Sequence, residues 1–164
     1  MTYKGSDVLP TGSVPIVDQS SSEVLGFHND KASYLASPES PVAVFGDHTC
    51  KMQLMVVPFS LGPNTVAFAA KDLPLHYVFA LVRGLVTTRE YKRHWSDLMK
   101  KEVLVASSSL ATKYANLVRP LVEAAENLRK HSRCLQSARD LLLPRLISGD
   151  LPITTAERDL EAVA

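Results

Sequence analysis

The chain has 164 residues, of which 46% are hydrophobic and 21% are charged, and its formal net charge is +1. These values are typical of a globular protein with a hydrophobic core, and they exclude a collagen-like or disordered chain. No apolar run, including residues 54–57 and 141–143, is long enough to cross a membrane, and the N-terminus lacks the pattern of a secretory signal. We therefore expect a cytoplasmic protein with one domain, or one domain and an appendage.

Short extended segments between turn residues predict a small mixed or antiparallel sheet in the first part of the chain. The segments are residues 14–17, 41–45, 52–57 and 65–69, and Pro15 indicates that the first is an edge strand. A helix is predicted over residues 75–85, with Gly84 near its end, and a last short strand over residues 103–105. The predicted fold class is α+β, with a compact domain followed by a long helix.

Residues 110–143 carry apolar side chains at steps of three and four, the a/d heptad pattern of a coiled coil. The serines at 107–109 suit the N-cap, and Pro120 marks either a kink or the true start. The helix is expected to end near Pro144, before a turn at 148–150, with a length of about 50 Å. Such a narrow apolar seam needs a partner, so we favour pairing between molecules over folding back on the domain. The predicted interface positions are Leu117, Leu121, Leu128, Leu135 and Leu142.

Basic residues are concentrated in the middle of the chain and in one later segment. Residues 51–101 hold eight Lys and Arg against three acidic residues, a net charge of +5, and residues 111–145 hold seven against three, a net charge of +4. This distribution permits a phosphate-binding face. We predict that Arg89, Lys92 and Arg93 contact phosphates, with a solvated surface turn as an equal alternative. For the neighbouring Tyr91 and Trp95, packing in the core is favoured.

The chain carries no motif of a nucleotide-binding loop, a nucleophile elbow or a zinc protease. Asp47 and His48 could act as acid and base in a hydrolase, but adjacent residues in an extended segment point to opposite faces, which disfavours this reading. Cys50 and Cys134 lack CxxC spacing and are expected to be reduced thiols. We expect no catalytic residue, no metal site and no cofactor.

Several segments resemble type I restriction-modification specificity subunits. Residues 44–51, VFGDHTCK, resemble a strand-and-turn signature in the target recognition domains of that family, and residues 12–16, GSVPI, with Gly26 and Phe27 resemble its upstream segments. Residues 91–98, YKRHWSDL, resemble the stretch that closes the domain. Residues 138–151, ARDLLLPRLISGDL, are similar to the end of the family's conserved helix. The resemblance extends from about residue 12 to residue 151, most of the chain.

This resemblance implies a DNA-binding subunit without catalytic activity. The family has two recognition domains, each followed by a conserved helix, and the two helices pack antiparallel as a spacer and dock the methyltransferase (modification) subunits and, through them, the restriction subunit. One domain would recognise one half of a split target in double-stranded DNA. The segment 48–51, with His48, Thr49 and Lys51, and the loop around Asn64 would lie near the DNA. The alternative is that Asp47 and Thr49 only cap the turn after a strand.

The chain is about half the size usual in that family. We therefore expect one recognition domain at residues 1–109, truncated at its N-terminus, one spacer helix at 110–151 and a flexible tail at 152–164. Such a chain could be a truncated product, one part of a split subunit, or a half-subunit that forms a homodimer through its helix. The alternative is a coiled-coil protein-interaction module that binds no nucleic acid.

Overall fold

Two three-stranded sheets and one long helix form most of the computed structural model, which describes residues 2–3, 7–88, 90 and 93–151. This architecture confirms the predicted α+β class. Contacts divide the chain into two units, Met1–Glu123 and Ala124–Ala164, with the boundary inside the long helix. In chain order the elements are β1 (Val14–Val17), β2 (Gly26–His28), β3 (Val42–Gly46), β4 (Met52–Met55), β5 (Ser60–Leu61), β6 (Thr65–Phe68), α1 (Leu75–Val82), α2 (Trp95–Met99) and α3 (Ser108–Ile147).

The strands are divided between two sheets, whereas the sequence predicted one. In one sheet β3 lies between β4 and β6 and is antiparallel to both. In the other, β1 lies between the antiparallel β2 and the parallel β5. Both sides of β3 are occupied, so β1 pairs instead with two strands that the sequence did not predict. These strands have only three and two residues, too few to show an alternating pattern.

The prediction that Pro15 marks an edge strand is wrong, because β1 is the central strand of its sheet. Pro15 is aligned with Phe27 on β2, whereas β5 pairs only with Ile16 and Val17. The ladder between β1 and β5 therefore begins after the proline, which has no backbone N–H to donate.

The core of the first unit lies where the two sheets meet. Its buried cluster combines Val17 of β1, Val44 of β3 and Leu61 of β5 with Phe59 and Ala36. Phe59 is fully buried, and its ring stacks on that of Tyr34 with centroids 5.1 Å apart. The clustering of apolar residues from distant segments explains why the short strands are stable together.

Two predictions for the segments before α3 have different outcomes. Helix α1 is found as predicted but ends at Val82, and Gly84 follows with a φ of +82°. The strand predicted at 103–105 is wrong: these residues form no regular structure, and Leu104 is 95% exposed. Instead, the backbone N–H of Ala106 donates to the hydroxyl of Tyr77 at 2.8 Å, which ties the entrance of α3 to α1.

Helix α3 is longer at both ends than predicted. Ser107 supplies the N-cap, because its carbonyl accepts from Ala111 N at 3.0 Å and its hydroxyl lies 3.4 Å from Leu110 N. The helix continues through Pro120 and does not stop at Pro144, since a proline removes only its own N–H and Ser148 N still donates to Pro144 O at 2.9 Å. It ends at Ile147, and Gly149 (φ +80°) begins the turn predicted at 148–150.

The tail at 152–164 lies outside the described residues. Over the part of the chain that is described, no helix is both long and apolar enough to span a membrane. Cys50 is half-buried and Cys134 is exposed, and both are free thiols.

Candidate nucleic-acid interface

The turn that follows β3 is held tightly at residues 46–51. Gly46 N donates to Lys51 O at 2.8 Å, and Cys50 N donates to Gly46 O at 2.9 Å. Cys50 has a φ of 55°, which is the left-handed conformation needed to close the turn. A Cβ on Gly46 would lie 2.7 Å from Thr49 Oγ1 and 3.1 Å from the Cα of Gln19, so only glycine lets the loop at residue 19 approach this closely.

Asp47 connects this turn to two other parts of the chain through its backbone. Its N–H donates to the carbonyl of Asn64 at 2.9 Å, and its carbonyl accepts from the N–H of His94 at 2.8 Å. The turn after β3, the loop before β6 and the segment before α2 therefore meet at one residue. We call this arrangement the Asp47 junction. It brings together three segments that the sequence predicted to be near DNA.

The buried carboxylate of Asp47 completes the junction. Oδ2 accepts from Arg93 Nε at 2.8 Å, and Oδ1 accepts from Trp95 N at 2.9 Å. Burial by itself would raise the pKa of Asp47, but these hydrogen bonds and the charges of Arg93 and His48 outweigh it and lower the pKa below its ordinary value. Both oxygens are thus engaged in holding two chain segments together. This leaves little capacity for the acid or base role that the sequence suggested for Asp47 beside His48.

Three predicted contact residues lie on the loops around this junction. Asn64 is exposed and has a φ of 55°. Thr49 is also exposed, and its hydroxyl donates a hydrogen bond to Gln19 O at 2.8 Å. His48 is half-buried, and its backbone N–H donates to Gln19 Oε1 at 3.1 Å. The side chains of Thr49 and Asn64 are therefore placed where a ligand could reach them.

Lys51 has local partners that a DNA phosphate would have to replace. Its ammonium donates to the carbonyl of Ser22, and it lies 3.4 Å from that of Asp18. Burial lowers the pKa of Lys51, while the charges of Asp18 and Glu23 act in the opposite direction. The geometry therefore suits a lysine that fastens the loop at residues 18–23 to the turn. Its contact with DNA stays a prediction.

The basic segment before α2 is only partly described, because Arg89, Tyr91 and Lys92 lie outside the described residues. The side chain of Arg93 is 80% exposed although its Nε is bonded to Asp47, so its terminal nitrogens remain available for a phosphate. Trp95 is half-buried and packs against Phe45 of β3 and Phe68 of β6, with ring centroids 5.7 and 5.4 Å apart. This packing matches the core role favoured for the indole.

A buried serine–histidine pair lies in the other sheet and escaped the sequence analysis. His28 Nε2 is 2.9 Å from Ser60 Oγ, a distance that suits a nucleophile and its base. However, Asp30 N donates to His28 Nδ1 at 3.1 Å, so the neutral ring carries its proton on Nε2 and donates to the serine. Ser60 Oγ also accepts from Ser33 N at 3.1 Å. The hydrogen-bond directions are opposite to those of a catalytic pair, which indicates a structural network.

Helix α3 carries two apolar stripes, of which the sequence analysis identified one. The stripe that packs within the first unit contains the buried Ala111 and Ala115 and the half-buried Val118 and Val122. At 3.6 residues per turn, the predicted leucine seam lies about 120° around the helix from it. All five leucines of the seam are exposed, with exposed fractions from 43% to 70%. These residues are Leu117, Leu121, Leu128, Leu135 and Leu142.

The described residues contain no group of three or more His, Cys, Asp or Glu side chains that could hold a metal ion.

Part of the chain is similar in sequence to a curated protein. The chain is 30% identical, over 87 aligned residues, to the specificity subunit of the type I restriction enzyme MjaIX of Methanocaldococcus jannaschii. The alignment covers 48% of this chain and 20% of that subunit, so the chain matches about a fifth of its relative. No family model and no solved structure matches.

Proposed function

We propose that this chain is a DNA-binding specificity subunit, or half-subunit, of a type I restriction-modification complex, without catalytic activity of its own. It would recognise part of a split target in double-stranded DNA and dock methyltransferase subunits, and through them the restriction subunit. The similarity to the MjaIX specificity subunit supports the restriction-system assignment.

The Asp47 junction is the observation that carries the DNA-binding proposal. Four hydrogen bonds to one residue gather the turn at 46–51, the loop at Asn64 and the segment at 93–95. Each segment contributes groups that suit DNA: hydroxyl and amide side chains for bases or phosphates, and an exposed guanidinium for phosphates. Because Asp47 is buried and all four hydrogen bonds are internal, the three segments are held together before DNA binds.

The leucine seam supports the docking part of the proposal. A stripe of five exposed leucines on one helix is costly in water and is typical of a helix that packs against another helix. We assign residues 1–109 to the recognition domain and residues 110–151 to the spacer helix. In a full specificity subunit the partner would be a second such helix, and in a homodimer it would be the same helix of a second copy.

DNA binding is tested by fluorescence anisotropy of a mixed-sequence duplex at several salt concentrations. Binding through phosphates should weaken steeply with salt. Replacing Arg89, Lys92 and Arg93 with Ala should weaken binding and flatten the salt dependence by about one unit per lost contact. An unchanged slope in this triple variant would exclude phosphate contacts by the three residues.

A protein-interaction module that binds no nucleic acid is the second candidate, and the exposed leucine seam is the observation that favours it. The anisotropy titration with duplex DNA distinguishes the DNA-binding subunit from the protein-interaction module. A wild-type chain that binds no duplex at low salt, yet associates through its helix in sedimentation experiments, would support this candidate instead.

A further inference from the structure

A cavity of about 460 Å³ lies beside the Asp47 junction. His94 connects the two, because it lines the cavity and its N–H donates to Asp47 O at 2.8 Å. Thr88, the neighbour of the cavity residue Thr87, has its hydroxyl 3.4 Å from His48 O. The cavity therefore borders the surface assigned to DNA. The residues that line it are Leu85, Val86, Thr87, His94, Asp97, Lys100 and Lys101.

The wall formed by His94 is held in place on several sides. The residue is 1% exposed, its Nε2 lies 3.2 Å from Glu90 O, and its carbonyl accepts from Asp97 N and Leu98 N, both at 3.1 Å. Its Nδ1 lies 3.4 Å from Asp97 Oδ2. The hydrogen bonds of its carbonyl and of Nε2 hold His94 at one side of the cavity, whereas Nδ1 has no hydrogen-bond partner among the described residues. The cavity is thus built into the fold before any ligand arrives.

The charge of the lining suits an anion with a single negative charge. Lys100 and Lys101 are exposed and adjacent, and the carboxylate of Asp97 offsets one of them, so the lining has a net charge of +1 when His94 is neutral. A backbone phosphodiester carries one negative charge, whereas a terminal phosphate monoester carries about −1.5 to −2 near pH 7. The lining charge therefore matches a phosphate inside a DNA strand better than a free nucleotide.

The other lining groups fit the atoms on either side of such a phosphate. The exposed hydroxyl of Thr87 is a donor of the kind that contacts phosphate oxygens in DNA complexes. Leu85 and Val86 are half-buried and offer an apolar wall to a deoxyribose ring. The volume is within the range of about 300–1,000 Å³ that is usual for small-ligand sites, and it is large enough for a sugar together with its phosphate.

We propose that this cavity binds one phosphodiester of the DNA backbone, with Lys100 and Lys101 as its cations and the Thr87 hydroxyl as a donor. The inference rests on the proposed DNA-binding function and adds residues that the sequence analysis did not identify. The contact would position the domain on the duplex and would not read bases, because phosphates are present in every sequence.

The first test is the salt dependence of duplex binding by the full-length Lys100→Gln/Lys101→Gln variant. We expect affinity to fall about three- to tenfold and the log–log salt slope to lose about one unit, since both lysines serve one phosphate. The control, Lys113→Gln/Lys130→Gln, removes the same charge from exposed positions outside the cavity and should lose less. Thr87→Val should weaken binding without changing the slope, because a hydroxyl releases no counterion.

The second test follows the backbone amide NMR signals of Thr87 and His94 in the wild type during titration with a short duplex, with thymidine 5′-monophosphate and with inorganic phosphate. The proposal expects saturable shifts with the duplex that disappear in the lysine double variant. If the duplex binds but neither the signals nor the variant's salt slope changes, this cavity holds no phosphodiester, while the DNA-binding function stands. Saturation by the mononucleotide or phosphate alone, without a response to the duplex, would overturn the DNA source. A wild type that binds no duplex would overturn the DNA-binding function itself.

Discussion

Leu61 in the sheets and the leucines of the α3 seam have opposite environments. Leu61 of β5 is 9% exposed and belongs to the core cluster, whereas Leu135 of α3 is 70% exposed. The two positions carry the same side chain, so composition cannot explain the difference. It arises because strands from distant segments cover one another in the first part, while a single helix cannot cover its own outer face.

The comparison shows that apolar surface on this chain has two uses. In the sheets it stabilises the fold directly, at about 25 cal/mol for each Å² removed from water. On the seam of α3 it contributes little until another helix covers it. A residue's effect on folding and its effect on association should therefore separate cleanly between the two regions.

The largest difference is expected from the same substitution made in both regions. Leu61→Ala should lower the free energy of unfolding by about 2–5 kcal/mol, because it leaves a cavity in the core. Leu135→Ala should change it by less than about 0.5 kcal/mol, because the side chain is exposed and alanine is a good helix former. Urea unfolding of the monomer, followed through Trp95 fluorescence, measures both. Equal losses would show that the seam is already buried in the isolated chain.

Leu128→Asp tests the seam as an association surface. A charge placed where helices meet is costly to bury, so we expect the variant to lose self-association or methyltransferase docking while the first unit remains folded. Ser137→Asp is the matched control, because it adds the same charge at an exposed position on the opposite side of the helix. Sedimentation with and without the methyltransferase subunit gives the readout. Two variants that assemble equally well would mean that the seam is not the interface.

Asp47→Asn tests the junction and should have a smaller effect, about 1–3 kcal/mol at neutral pH. The pKa of Asp47 is lower in the folded state than in the unfolded state. The stability that its ionised carboxylate contributes is therefore present in full above the unfolded-state pKa of 3.8, and it is lost as the pH falls through the lower folded-state pKa. The stability difference between variant and wild type should therefore shrink below pH 3.8. A difference that stays constant from pH 7 to pH 3 would indicate that the charge of Asp47 is not what holds the junction.

The smallest effect is expected at His76 of α1, which is buried and has an Nε2 without a hydrogen-bond partner among the described residues. Burial, and then the charge of Arg119, lower the pKa of His76 below 6.5. The folded state therefore holds the imidazole neutral. The free energy of unfolding is then highest where His76 is neutral in both states, and it decreases as the pH falls from 6.5 through the folded-state pKa.

His76→Leu should therefore be more stable than the wild type at pH 5.5, by no more than about 1 kcal/mol, and should show a flatter pH dependence. His131→Gln removes an exposed histidine and serves as the control. Urea unfolding at pH 7.5 and 5.5 provides the comparison. If both variants flatten the pH dependence equally, burial of His76 is not its cause.

The elements that the sequence predicted well are those with several residues of clear periodicity. β1, β3, β4, β6, α1 and α3 are all present within a few residues of the predicted bounds. The missed elements are β2, β5 and the five-residue α2, which are too short for a period to be visible. The second stripe of α3 was missed because alanine and valine at its positions are weaker signals than the leucines beside them.

The candidate site could be predicted only in part. Thr49, Asn64 and Arg93 were chosen from residue type and family resemblance, and they do lie around one junction. The role of Asp47 as its centre could not be seen, because hydrogen bonds to residues 64, 93, 94 and 95 depend on how the loops converge. The cavity beside Lys100 and Lys101 was missed for the same reason, since no motif marks its lining.

Local sequence thus determined the longer helices and strands of this chain, because periodicity and turn residues act over a few neighbouring positions. It also determined the leucine seam, which follows from spacing along a single helix. Tertiary structure decided the rest: that the strands divide into two sheets, that β1 is central despite its proline, and that three loops meet at Asp47. Those outcomes depend on contacts between residues far apart in the chain, and only the folded backbone brings them within hydrogen-bonding distance.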